Sequence, residues 1–169
     1  MSNLLYDLSI APMTRMLRNL DAIVGKAEAY VAADATIDPA TLIQARLYPN
    51  MRPFVFQIRT ATDTAKGAVA RLAGREIPSW ADDEVTFADV HARLGKAIDY
   101  LSGYKPEDFA GAEEKPIELK LGPNVVKFTG SSYLAGFVMP NFFFHVTTAY
   151  DILRHNGVAI GKRDFLGPA

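Results

Sequence analysis

Apolar residues recur every three or four positions at Ile10, Met13, Leu17, Leu20, Val24, Ala27 and Val31, which predicts one long helix over residues 4–32 with a single buried face. Arg15, Arg18, Asp21 and Glu28 fall off that stripe. Asp38 followed by Pro39 is an N-cap with proline at the first helical position, so a short helical turn is predicted near 39–45. Pro49 and Pro53 bracket a break. A second long helix follows over 51–73, with Phe54, Ile58, Ala61, Ala65, Ala68 and Leu72 inward and Gly74 as its stop. Arg75 to Val85 reads as a loop. Thr86-Phe-Ala-Asp89 has the form of a capping box, with Asp in place of the usual Glu, and opens a third helix that ends near Gly103. Its inward stripe is Phe87, Val90, Leu94, Ile98 and Leu101.

Between Lys115 and Thr129 the period drops to two. Ile117-Glu-Leu-Lys-Leu121 alternates, Gly122-Pro-Asn124 supplies turn chemistry and Val125-Val-Lys-Phe128 is rich in β-formers, which together predict one hairpin. The last helix is capped by Ser131 or Ser132, runs to Arg154 or His155 and stops at Asn156-Gly157. Pro140 either kinks it or lies close to its true start. Four helices of about 29, 23, 18 and 25 residues predict an all-α, four-helix bundle in one domain over 1–169, with a small β-hairpin inserted between helices 3 and 4. The connection from helix 1 to helix 2 and the hairpin-bearing connection are both long, so the order need not be up-down-up-down.

Composition narrows the chemistry. The absence of cysteine excludes disulfides, thiolate nucleophiles, iron–sulfur clusters and zinc fingers, and the three histidines leave imidazole, carboxylate and amide groups as metal ligands. A formal net charge of −1 argues against a nucleic-acid or anionic-membrane partner. No Asp, Glu, Lys or Arg occurs from Phe128 to Tyr150, but Gly130, Ser131, Ser132, Pro140, Asn141 and His145 lie within that stretch, so it reads as a buried helix and not a membrane span. The first residues lack a basic region and Asp7 interrupts their apolar stretch, so a cytoplasmic protein is expected. Gly157-Val-Ala-Ile-Gly161-Lys162 has too few residues between its glycines for a phosphate loop, and Arg163 stands where Ser or Thr is required.

The most unusual pattern lies on the last helix, where Phe137, Asn141, His145, Thr148 and Ile152 share a face. Gln57 sits beside the inward stripe of the second helix, so a polar cluster of Gln57, Asn141 and His145 is expected inside the bundle. Its members either satisfy one another and a water, or bind a ligand. Of the other histidines, His91 reads as a core-edge residue and His155 as a cation at a helix C-terminus. Trp80 either pins the acidic loop around Asp82, Asp83 and Glu84 or contributes to a subunit contact.

Pro140-Asn-Phe-Phe-Phe-His-Val-Thr-Thr-Ala-Tyr-Asp-Ile-Leu-Arg-His-Asn-Gly-Val158, followed by Gly-Lys-Arg-Asp-Phe-Leu166, resembles the C-terminal signature of an uncharacterised bacterial domain-of-unknown-function family. Arg46-Leu-Tyr-Pro-Asn-Met-Arg-Pro53 and Gln57-Ile-Arg-Thr-Ala-Thr-Asp63 resemble the same family, which is grouped with the DinB/YfiT-like metalloenzymes. The resemblance implies a four-helix bundle, often a homodimer, with a divalent metal held by one histidine of helix 2 and a His-x-x-x-His pair of helix 4. His145 falls on the second position of that pair, Asn141 on the first and Gln57 on the helix-2 position. With one imidazole where three are usual, the expectation is a degenerate site: a small-ligand-binding or dimeric interaction protein with Gln57 and Asn141 beside His145. The alternative is a metal- and thiol-dependent transferase or isomerase in which His145 is the catalytic residue and holds zinc or nickel, or acts as a metal-free base.

Overall fold

A computed structural model describes residues 3–168. The long first helix, α1 (Leu4–Ala32), has the predicted bounds and is capped by Asn3, whose side chain accepts from the Tyr6 amide. A short helix, α2 (Pro39–Ile43), ends before the predicted 45 because Gln44 leaves helical geometry. The next helix, α3 (Phe54–Ala73), starts three residues after the predicted 51. Pro53 is extended and disfavours the helical conformation at Arg52, so the chain can enter a helix only beyond it. Gly74, with φ +68°, closes α3 as expected. The capping box of Thr86 and Asp89 opens α4 (Phe87–Ser102).

The hairpin consists of β1 (Pro116–Leu121) and β2 (Asn124–Thr129), antiparallel, with Ile117 opposite Phe128. The last helix begins two or three residues earlier than expected, as α5 (Gly130–Tyr133). Thr129 caps it, its hydroxyl accepting from the Ser132 backbone amide at 3.3 Å, and the Ser132 hydroxyl accepts in return from the Thr129 backbone amide at 2.9 Å; neither Ser131 nor Ser132 is the cap itself. A π-helical turn over Leu134–Val138 links α5 to α6 (Met139–His155). Pro140 thus lies in the first turn of α6, where its missing N–H is tolerated. A short unpredicted helix, α7 (Lys162–Leu166), packs on α1 through Asn19 to the Phe165 carbonyl and Lys26 to Asp164. Gly130 is required where α5 meets the preceding turn, since a Cβ there would lie 1.8 Å from the Ala112 carbonyl oxygen.

Side-chain contacts set the helix directions. His91 of α4 meets Asp21 of α1, and Asn3 reaches the Phe109 carbonyl beyond α4, so α1 and α4 run antiparallel. Gln57 meets His145 and Arg71 meets Tyr133, so α3 and α6 run antiparallel. Thr62 meets Arg93 while Lys66 and Lys96 share Trp80, so α3 and α4 run parallel. The bundle is therefore up-down-down-up. Its crossover is the segment from Gly74 to Thr86, not one of the two connections expected to break the simple order. That segment returns along a 20-residue helix of about 30 Å, which an extended chain of its length can span.

A buried ionic cluster holds the crossover down. The Arg93 side chain is 3% exposed and donates to the Ala81 carbonyl at 2.7 Å, to Asp82 at 3.0 Å and to Glu84 at 2.8 Å. On the α3 side, Arg93 Nε donates to Thr62 at 2.9 Å. Arg93 Nη2 and Asp63 Oδ1 stand 3.0 Å apart without hydrogen-bond alignment, so charge alone joins them. Arg59 adds a 2.5 Å bond to Glu84. Trp80 packs edge-on against Tyr100 beneath the cations of Lys66, Lys96 and Arg93, which makes it the pin of this loop. Burial pushes the Glu84 carboxyl up, but hydrogen bonds from Arg93 and Arg59 outweigh that and hold it below its ordinary value.

Arg93→Ala leaves Glu84 buried without its main partner and is expected to destabilise the fold by about 3–5 kcal/mol in urea unfolding at neutral pH. Because the folded Glu84 value is depressed, its stabilisation is complete above the unfolded carboxyl value of 4.5 and is lost as pH falls through the folded one. Glu84→Gln should flatten the stability profile in that acid range. An Arg93→Ala protein as stable as wild type would show that the cluster does not hold the crossover.

Candidate functional site

The seam between α3 and α6 is the most extensive helix contact in the molecule, and it carries the polar residues singled out above. Gln57 lies in the first turn of α3, 2% exposed. Its Nε2 donates to the Arg52 carbonyl at 3.0 Å, an acceptor left over because the helix has not yet begun there. That bond orients the amide, and Gln57 Oε1 sits 2.7 Å from His145 Nδ1. An amide oxygen only accepts, so Nδ1 carries the ring proton and Nε2 keeps a free lone pair. Nε2 makes no hydrogen bond among the described residues. Burial lowers the pKa of His145 below its usual 6.5, which keeps the ring neutral at pH 7. Phe56 and Phe144 flank it edge-on, at 6.3 and 5.2 Å between ring centres.

Asn141 does not join this pair. Its Nδ2 donates to Thr64 Oγ1 at 2.9 Å, one step further along the seam, so the expected three-residue cluster resolves into two pairs. The expected core stripe is also displaced by one residue over its first two turns. Phe142, Val146, Ala149 and Leu153 are fully buried, whereas Asn141 and His145 are half-buried at the core's edge. Asp63 points to Arg93 and Lys66 on the other side of α3. His91 sits at the core edge as expected, 30% exposed, with Nδ1 2.5 Å from Asp21. His155 is exposed, and the Ile152 carbonyl is capped by the Asn156 amide, not by the His155 ring.

The donor set does not fit a tightly held divalent metal. His145 offers one imidazole nitrogen, the Gln57 oxygen already accepts from that ring, and no group of three His, Cys, Asp or Glu side chains suited to a metal occurs among the described residues. The arrangement instead presents a neutral, oriented acceptor nitrogen. The expected contact between Gln57 and His145 is present, whereas Thr64 and the Arg93 cluster had no part in the expectation. The signal for Arg93 was an arginine three residues after Val90 on an inward stripe.

Residues 5–166 match a domain of unknown function (DUF1993). A solved structure of a DinB family member protein from Shewanella denitrificans is similar to this chain, with 38% identity, a TM-score of 0.89, and coverage of 98% of this chain and 93% of that one. No curated protein matches. Among the described residues no helix is long and apolar enough to cross a membrane.

Nitrogen-detected NMR should find the His145 proton on Nδ1 and a titration midpoint below 6.5. Gln57→Glu, which places a carboxylate against that nitrogen, should raise the midpoint by about one unit or more. A proton on Nε2, or a midpoint unmoved in Gln57→Glu, would contradict the geometry.

Proposed function

For a chain that belongs to the DUF1993 family and shares the fold of a DinB family member, we propose a small-ligand-binding function at a reduced metal site, with His145 Nε2 as the contact atom. The observation that carries this reading is the 2.7 Å bond between His145 Nδ1 and Gln57. A metal-binding histidine is ordinarily oriented by such a bond from its second nitrogen, and here the bond goes to Gln57, an amide at the position where the resemblance implies the helix-2 imidazole. What remains is one directed acceptor, suited to the O–H, N–H or S–H group of a small molecule.

The same nitrogen is open to an enzymatic reading, in which it removes a proton from a thiol or hydroxyl group. Electrostatics favour binding. A general base must become an imidazolium, and burial opposes that charge while neutral Gln57 compensates it far less than a carboxylate would. A homodimer belongs to the proposal as well. Leu4 and Leu8, one turn apart on α1 and 64% and 49% exposed, supply an apolar patch for it.

Metal analysis of untagged protein tests the first part. Substoichiometric zinc and nickel are expected, whereas one equivalent lost in His145→Ala would overturn the reading. A panel of small thiols, alcohols and ammonium compounds should include one that shifts the His145 resonances in wild type and leaves no trace in His145→Gln. Turnover of a thiol by the metal-free protein, abolished in His145→Gln, would establish the enzymatic alternative. Sedimentation at micromolar concentration should give twice the chain mass, falling towards the monomer in Leu4→Lys/Leu8→Lys.

A further inference from the structure

Gly67 stands in the middle of α3, where glycine is among the poorest helix formers. A Cβ at this position would lie 2.6 Å from Arg71 Nη1. Helical side chains lean towards the N-terminus, so residue 71 falls over residue 67 one turn back, and a side chain at 67 would make the flexible guanidinium shift. Arg71 Nη1 donates to the Tyr133 hydroxyl at 3.1 Å, and the guanidinium carbon is 5.9 Å from that ring's centre. Tyr133 is itself 2% exposed and stacks on Phe137, with 14° between the ring planes. The side chain is therefore held from two sides, while at least four of its five N–H groups remain unused by Tyr133.

Arg71 opens onto a cavity of about 370 Å³ between α3, the hairpin and the π-helical turn. Arg71 forms no ion pair among the described residues, and the two carboxylates bordering the cavity are already engaged. Asp63 pairs with Lys66 and Arg93, and Glu118 pairs with Lys127 across the hairpin. The unpaired charges at the cavity are thus two cations, Arg71 and the exposed Lys120, facing the apolar surfaces of Leu119 and Phe137. One anchored planar guanidinium matches a planar carboxylate, whereas a phosphate normally gathers more donors than are present here.

We propose that this cavity binds a small carboxylate with an apolar or aromatic body. Arg71 grips the carboxylate, the Tyr133 hydroxyl steadies Arg71, and Leu119 and Phe137 take the body. Gly67 leaves room for the guanidinium where it now lies. The site is separate from His145 and does not rest on the function proposed for it.

Titration with 3-phenylpropionate and with its neutral amide, 3-phenylpropionamide, followed by amide and arginine Nε resonances, tests this. The acid should bind at least about tenfold more tightly than the amide and shift Arg71 and Phe137, because a charge-assisted pair is lost with the amide. Arg71→Gln should abolish the difference and Arg71→Lys should retain part of it. Gly67→Ala keeps every charge and asks only a small shift of the flexible guanidinium, so it should keep the preference for the acid. His145→Gln should bind the acid like wild type; if the acid shifts His145 and needs it, the proposed separate site fails. Equal affinity for acid and amide, or no shift at Arg71 with saturating acid, would each overturn the proposal. Should Arg71→Gln fail to fold, Arg71→Lys decides it.

Discussion

The fold turns on a single buried cation. Two consecutive helices can lie parallel only if the chain between them returns the full length of the bundle, and a returning segment with little apolar content has no reason of its own to stay in place. Arg93 supplies the reason. Its guanidinium is withdrawn from water and bound by Ala81, Asp82 and Glu84 of the crossover and by Thr62 of α3, with Asp63 adding its charge. A charge buried this deeply is costly unless nearly every partner is in place, so the crossover, α3 and α4 are fixed together or not at all. One consequence is that α3 has its outer flank occupied by charge, which leaves its opposite flank for α6.

On that opposite flank the polar residues of α3 recur every seven positions. Gln57, Thr64 and Arg71 meet His145, Asn141 and Tyr133 in turn. Seven residues turn through about 700°, only about 20° short of two full turns, so the three face one way. On the partner side, Asn141 and His145 are four apart, but Tyr133 and Asn141 are eight apart. In an unbroken α-helix eight residues would carry Tyr133 about 80° off the seam. The π-helical turn over Leu134–Val138 acts as one inserted residue, and eight less one restores the seven-residue spacing. The π turn is thus the device that brings Tyr133 onto Arg71, and it lies directly before Pro140, whose lack of an N–H weakens the regular helical ladder at that point.

This also explains which parts were legible in the sequence. The stripes of α1 and α3, the capping box at Thr86 and Asp89 and the hairpin depend on local periodicity and turn chemistry, which a single chain segment carries within itself. Gln57 and His145 were legible for the same reason, each lying at or beside an inward stripe. The partner of Asn141 was not, because a choice between Gln57 and Thr64 depends on the axial offset of two helices some eighty residues apart in the chain, and no local pattern encodes that offset. The π turn left only Pro140 as a trace. The closeness of Gly67 to Arg71 was not legible either, because it depends on where the guanidinium lies. The crossover was read as a plain loop because its order comes from a residue on another element, Arg93.

On the proposed reading amides stand where the resemblance implies imidazoles, and the seam bears on how they are satisfied. A buried polar side chain that has lost a metal must find another partner or be removed, since an unmatched donor or acceptor costs about 1–3 kcal/mol. Gln57 finds the Arg52 carbonyl and His145, and Asn141 finds Thr64, so each amide is satisfied separately by groups the helices already provide. Neutral amides suit this better than carboxylates would, because they fill the same length of side chain without bringing a charge into the core. On the proposed reading, the substitutions turned a site that needs an ion to be satisfied into a seam satisfied by its own residues. What the seam then offers outward is the lone pair of His145 Nε2 at one end and the N–H groups of Arg71 at the other. Those are complementary functions, an acceptor and a cationic donor, and both are suited to recognising a molecule more than to holding a metal.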